Sequence, residues 1–215
     1  KTLSLLFLII VVPSQANENF FTDISSLIRD NHARLSYGVA VTDFNNDGLQ
    51  EFVVTGFGYS NLALSYEDQT IRNVITDPIF SDSKAKTIGV AACDIDGNGK
   101  EELYFLNTDS YSGQKTVGDR LLTNNFHIED LFNRKANQSV RNLTAGRSVA
   151  CVDRKGDGFF DIYVSNYGGP SRFYEFEEDR IKDSAKKLGM HTVTGGRAVV
   201  SGHILGRRND VYAAN

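Results

Sequence analysis

The stretch DFNNDGLQE, Asp43 to Glu51, sets an acidic or amide side chain at every second position, then a glycine, then an acid three residues later. It returns as DIDGNGKEE, Asp94 to Glu102, and in altered form as DRKGDGFFD, Asp153 to Asp161. The repeat extends beyond the loops. GVAVTDFNNDGLQEFVVTG from Gly38 aligns without gaps to GVAACDIDGNGKEELYFLN from Gly89 and to SVACVDRKGDGFFDIYVSN from Ser148, and a worn copy, RAVVSGHILGRRNDVYAAN, starts at Arg197. The first loop positions, Asp43, Asp94, Asp153 and Gly202, recur about every 50 residues, the signature of one supersecondary unit used repeatedly.

Each copy holds an apolar run, a polar loop with glycine, and a second run rich in Val, Phe, Tyr and Ile, which reads as strand, loop, strand. Two weaker strands follow each pair: NLALSYED and IRNVITD, then RLLTNNFHIEDLF, then RFYEFEEDRIKDSA. Four strands in about 50 residues match the blade of a β-propeller, which buries its faces only by stacking on neighbouring blades. The prediction is an all-β propeller of four-stranded blades over 17–215, with about three and a half blades present and the ring incomplete at the C-terminal end. FFTDISSLIRD, which shares with the blade ends an aspartate flanked by apolar residues, is expected to supply an outer strand ahead of its own blade.

The loop spacing suits a hard divalent cation. Calcium takes roughly six to eight oxygens at about 2.3–2.6 Å, and alternate positions of a tight loop aim side chains inward while a backbone carbonyl fills a gap. The first loop would supply Asp43, Asn45, Asp47, the Leu49 carbonyl and Glu51, and the second Asp94, Asp96, Asn98, the Lys100 carbonyl and Glu102. Gly48 and Gly99 permit the turn. Magnesium prefers to keep several waters, and zinc would want sulfur or imidazole. An EF-hand needs a bidentate Glu at the twelfth loop position, where Val54 and Phe105 stand. The third loop keeps Asp153, Asp157 and Asp161 but places Lys155 where the others carry Asn45 and Asp96. It is expected to do without calcium, with Lys155 as a tethered cation paired to one of those carboxylates.

The opening KTLSLLFLIIVVPSQA reads as a signal peptide, 1–16, with an apolar run too short to span a bilayer. Two sequons, at Asn137 (NQS) and Asn142 (NLT), lie in a polar stretch that reads as a glycosylated surface loop. Cys93 stands one residue before its loop and Cys151 two before, so they point to opposite faces of equivalent strands. Whether they form a bridge or two buried thiols depends on which way the blades wind.

At these loops the chain resembles the FG-GAP or VCBS repeats of integrin alpha-chain propellers, including the Phe57–Gly58 and GGP (Gly168 to Pro170) turns after the second strand. The strings YGVAVTDFNNDG, IGVAACDIDGNGKEELYFLN and AGRSVACVDRKGDG are similar to the secreted cartilage acidic protein family of vertebrates. The resemblance implies an extracellular, calcium-binding propeller without catalysis, meeting matrix, adhesion or receptor partners, in neural tissue among others. Two departures count against carrying everything over: that family's later modules are missing from this chain, and the third and fourth loops have lost ligands.

With 40% hydrophobic residues, a net charge of −4 and scattered Lys and Arg, the composition fits one large domain and gives no footprint for nucleic acid. A carbohydrate-active enzyme or a lectin on the same scaffold is the alternative. Against the enzyme, the acids are committed to the loops, His32, His127, His191 and His203 stand alone, and Ser148 and Ser201 lack a nucleophile elbow.

Overall fold

The computed structural model describes residues 21–29, 32–177 and 179–214; the proposed leader lies outside them. Strands β1 (Val39–Thr42), β2 (Glu51–Val54), β3 (Leu62–Glu67) and β4 (Thr70–Asn73) form the first antiparallel sheet, in that order. The second runs β5 (Thr87–Cys93), β6 (Glu102–Asn107), β7 (Arg120–Asn124) and β8 (Ile128–Asp130), and the third β9 (Gly146–Val152), β10 (Asp161–Asn166), β11 (Arg172–Glu177) and β12 (Arg180–Asp183). β13 (Ala198–Gly202) and β14 (Asp210–Ala214) pair as the start of a fourth. The first strands β1, β5, β9 and β13 pack successively beside one another, so the sheets are propeller blades arranged about an axis, three complete and one half-built.

Alternation along the second strands explains the stacking. All six residues of β6 are buried: Leu103 and Phe105 enter a core with Phe44, Val53, Ala63 and Phe80 of the first blade and its exit, while Tyr104 and Leu106 enter a second core with Ile162, Val164 and Tyr174 of the third. β10 repeats the logic, sending Ile162 and Val164 one way and Tyr163 the other, towards Val199 and Val211 of the fourth blade. A strand buried on both faces reads as a continuous apolar run, which is how ELYFLN appears. Among the described residues β2 faces a neighbouring blade on one side only; Val53 is buried and Phe52 is 47% exposed.

The blade ends carry a recurring device. Asn73, Asp130 and Asp183 sit at or beside the end of the fourth strand and accept the backbone N–H of Ala63 (2.8 Å), Leu121 (3.3 Å) and Phe173 (3.2 Å). Asp130 also caps a 3₁₀ turn, Leu131–Asn133, through the Phe132 N–H, and is paired to Arg120 and Arg141. FFTDISSLIRD shares this device but not a strand. Asp23 accepts the Ser25 N–H ahead of a 3₁₀ turn, Ser25–Leu27, and Ile28 makes a lone parallel bridge to Ile71. The first blade is complete without it, so among the described residues the expected outer strand is not formed.

Between blades the turns after the second strands reach the approach to the next blade, bridging Phe57 to Lys86, Gln114 to Thr144 and Pro170 to Val193. Gly58 and Gly168 hold φ of 75° and 73° in two of these turns, a region L side chains avoid. Beneath them lies a buried polar network. Asp119 takes hydrogen bonds from the Asn107 N–H, the Tyr104 hydroxyl and Asn142 Nδ2, each at 2.7 Å, and is ion-paired to the fully buried Lys115.

That network overturns the sequon reading. Asn142 Nδ2 is spent on Asp119 and on Asn166 Oδ1 at 2.9 Å, and Asn137 Nδ2 donates to the Leu131 carbonyl at 2.9 Å while its Oδ1 accepts the Ile181 N–H at 3.0 Å. Both side chains are fully buried, so neither has room for a glycan: the stretch does run along the surface, with Lys135, Gln138 and Ser139 exposed, but it turns these two amides inward against the third blade.

Cys93 and Cys151 are joined by a disulfide between neighbouring inner strands, with Cα atoms 6.2 Å apart. Blade stacking turns the two opposite faces towards each other. The bridge closes a loop of 58 residues, for which chain entropy predicts about 4 kcal/mol of stabilisation. Mass spectrometry of unreduced protein should find no free thiol at these positions, and Cys93→Ser/Cys151→Ser should lower the denaturant midpoint accordingly. Asp119→Ala should cost about 3–5 kcal/mol by stranding Lys115 in the interior, also read by denaturation.

Candidate functional site

Each acidic loop links the first strand of a blade to the second, so the loops lie together at one end of the inner strands. Their shape comes from the first aspartate acting as a cap for the loop's own amides. Asp43 accepts the N–H of Asp47 (3.0 Å) and Gly48 (2.9 Å), Asp94 those of Gly97 (2.7 Å), Asn98 (3.1 Å) and Gly99 (2.8 Å), and Asp153 those of Gly156 (2.7 Å), Asp157 (3.1 Å) and Gly158 (3.0 Å). Gly48, Gly99 and Gly158 share a φ of 89°, 82° and 84° at the sixth loop position. Three loops with different side chains thus keep one backbone.

The ninth position heads the second strand and is buried. Glu51 accepts the Phe44 N–H at 3.0 Å through Oε2, and Glu102 accepts the Ile95 N–H at 3.0 Å in the same way. In the first loop oxygens of Asp43, Asp47 and Glu51 come within 4.8 Å of one another, and in the second those of Asp94, Asp96 and Glu102. Glu51 Oε1 is buried with no hydrogen-bond partner, and its acid is pushed up, first by burial and then by Asp47 and Asp43. Burial, with help from Asp96 and Asp94, pushes Glu102 up to about 7. Carboxylates gathered this closely, one of them buried with an unspent oxygen, fit a hard cation.

The expected amide ligands also bind within the loops. Asn45 Nδ2 donates to Asp47 at 2.7 Å, and Asn98 Nδ2 to Asp96 at 3.0 Å. Their carbonyl oxygens accept the Asp47 N–H (2.9 Å) and the Lys100 N–H (2.8 Å). The Leu49 and Lys100 carbonyls belong to the segment leading into the buried acid.

At the third loop the structure corrects the choice of cation. Among the described residues Lys155 forms no ion pair with Asp153, Asp157 or Asp161; Arg154 pairs with Asp161 at 3.6 Å and with Glu175. The second loop position explains it. Phe44 and Ile95 occupy that position in the other loops and are buried in the cores between blades, so Arg154 is directed inward to the acid, whereas the third position, with Asp96 in the second loop, is exposed. Glu175 stands in the third strand where the other blades carry Ser65 and Thr123. No trio of close carboxylate oxygens forms here among the described residues. Asp161 is raised to about 6, by burial first and then by Glu175, with Arg154 and Lys155 opposing. The Arg154 signal was present in the sequence as a charge at an apolar repeat position.

The second-strand register, the loop and the FG turn together carry the recognisable pattern, and residues 43–105 match the family described as FG-GAP-like repeat. The chain carries an FG-GAP-like repeat. It is 38% identical to cartilage acidic protein 1 of Homo sapiens, over 99% of this chain and 37% of that protein. The corresponding proteins of Xenopus tropicalis and Mus musculus are 38% identical over 94% of this chain and 36% of theirs. The chain is thus a relative of the cartilage acidic proteins and spans little more than a third of their length. A solved exotype rhamnogalacturonan lyase superposes with a TM-score of 0.44 at 12% identity, over 82% of this chain and 38% of that one, which is too loose to carry an argument.

The raised acid at Glu102 sets a pH dependence. With its pKa moved from 4.5 to about 7, the metal-free folded chain keeps a proton there that the unfolded chain releases. Metal-free stability should therefore fall as pH rises through that window and level off above it. Urea midpoints measured in chelator across the window should show this slope, and Glu102→Gln should reduce it, most clearly near pH 7, leaving the lower-pH part that Asp161 contributes.

Proposed function

We propose that this chain is the calcium-braced propeller of a secreted protein that meets extracellular matrix, adhesion or cell-surface receptor partners, and that it does so without catalysis. The observation that carries the calcium reading is the pair of carboxylate trios, Asp43/Asp47/Glu51 and Asp94/Asp96/Glu102, in equivalent loops of successive blades, sharing the first and ninth positions. Oxygen-only donors at alternate loop positions favour calcium over zinc, and a protein cage of this kind favours it over magnesium. Bound calcium would neutralise the buried acids and tie the first strand of each blade to the second. An affinity suited to extracellular fluid, about 10⁻⁴ to 10⁻³ M, is expected for strand-flanked loops of this type.

The leader-like sequence of 1–16, together with the relatedness to cartilage acidic proteins, supports secretion. A disulfide between inner strands agrees with an oxidising compartment. No described helix is long and apolar enough to cross a membrane. His32, His127, His191 and His203 are all exposed.

Thermal melting of the full-length protein tests this. Calcium at 5–10 times its dissociation constant should stabilise by about 1–1.5 kcal/mol per site, and an unchanged midpoint would refute the reading. Asp43→Ala and Asp94→Ala should each remove one bound ion in equilibrium dialysis. In the third loop Lys155→Asp alone should add none, because Arg154 still holds Asp161; Arg154→Ile combined with Lys155→Asp should be needed to raise the stoichiometry by one.

A further inference from the structure

At the end of the inner strands opposite the acidic loops, aromatic and cationic side chains alternate around the axis. Phe57, in the turn after β2, has Lys86 over its ring at 5.7 Å and Tyr37 edge-on at 5.3 Å. One blade on, Tyr111 and Tyr167 meet edge to face at 5.2 Å, and the Arg147 guanidinium lies over both rings, at 5.1 and 5.2 Å. Arg197 covers Tyr167 at 5.8 Å. Lys86 and Arg197 immediately precede β5 and β13 and Arg147 is the second residue of β9, so the second, third and fourth blades each bring one cation to this end of their first strands, while the first blade brings Tyr37.

These cations are not compensated. Among the described residues none of Lys86, Arg147 and Arg197 takes part in an ion pair, although the chain carries a net charge of −4. Arg147 is held by the two rings and by donation to the Tyr111 carbonyl, so its fork is positioned before any ligand arrives. Tyr37, Phe57, Lys86, Asp109, Tyr111 and Arg147 line a cleft of about 340 Å³, of a size for one or two sugar rings. Asp109 is the one acid of the lining; its Oδ2 accepts the N–H of Thr116 (2.7 Å) and Val117 (3.3 Å), and its Oδ1 is buried without a hydrogen-bond partner. Tyr37 and Tyr111 stand 58% and 68% exposed at the mouth, rigid amphipathic platforms of the kind that stack on a pyranose face.

We propose that this face binds an anionic glycan, its carboxylate or sulfate groups taken by Arg147, Arg197 and Lys86 and a sugar ring stacked on Tyr111 or Tyr37. An acidic peptide fits less well. The turn backbones are already bonded to the next blade, Gly58 N–H to the Ala85 carbonyl, Gly113 N–H to that of Tyr167 and Ala145 N–H to that of Gly113, which leaves no free edge for an added strand. The proposal rests on the extracellular reading for where such a sugar is met, and on none of the calcium ligands.

The test is calorimetry on the full-length protein with a heparin-derived tetrasaccharide, a neutral chitin tetrasaccharide and pentaglutamate. The heparin fragment should bind and the neutral one should not. Arg197→Ala, which removes the guanidinium over the Tyr167 ring and beside the Tyr111 hydroxyl, should weaken binding about tenfold, and Tyr111→Ala should weaken it too. Arg147→Lys, keeping charge without the fork, should fall between, and melting of each variant verifies the fold. Asp94→Ala, on the opposite face, should lose its calcium and keep the glycan, which separates the two readings. Absent binding, unchanged affinity in both Arg197→Ala and Tyr111→Ala, or pentaglutamate binding as tightly as the tetrasaccharide would overturn the proposal.

Discussion

A second strand buried on both faces governs this fold. β6 and β10 each pass alternate side chains to the blade before and the blade after, and a blade whose central strand is used in this way has no stable existence apart from its neighbours. Burying each large side chain contributes about 1.5–3 kcal/mol, and in β6 both faces do so in cores shared with neighbouring blades. The disulfide between β5 and β9, the bridges from each second-strand turn to the next blade, and the Asn142–Asn166 amide pair all lie on these same inter-blade seams.

The same burial creates the electrostatic problem at the head of the second strand. The acid in the ninth loop position leaves water with the strand, and each blade compensates it differently. Glu102 accepts the Thr123 hydroxyl at 3.3 Å as well as a loop amide, Glu51 has one oxygen with no partner, and Asp161 has Arg154 beside it. Where the second loop position is apolar, as at Phe44 and Ile95, neighbouring loop carboxylates face the acid and the local charge is left negative. Where that position is Arg154, a guanidinium supplies the positive charge from within the chain. A single backbone thus serves two electrostatic solutions.

Much of this was legible in the residues. The gapless repeat, the strand order and the outer strands follow from period-2 apolar patterns and turn residues, because those local signals agree with the blade that contains them. The loop acids were legible for the same reason: spacing along one tight turn is a local property. What failed was each inference about direction across blades. Asn137 and Asn142 looked like a polar surface loop because composition does not show that the next blade packs over them. FFTDISSLIRD looked like a strand because it shares the blade-end aspartate, and that aspartate marks a turn cap rather than a strand. The cysteine faces were legible, but whether they meet is a property of blade winding that no single blade encodes.

The third loop shows how a position can matter more than a charge. Lys155 and Arg154 are adjacent, and spacing from the carboxylates alone favours Lys155, which replaces a would-be ligand. Repeat alignment points the other way, because a residue's orientation is inherited from its counterparts: the second position sends Phe44 and Ile95 into the cores, so any side chain there begins its path towards the interior. Arg has the length to return from that path to Asp161 and a planar fork that also reaches Glu175, where Ser65 and Thr123 stand in the other blades. The change to Glu175 gives the guanidinium a second carboxylate, and its contact with Ser184 fixes the acid in place. Arg154 and Glu175 are therefore a matched pair, and the loop keeps its shape because the Asp153 cap, not the cation, defines the turn.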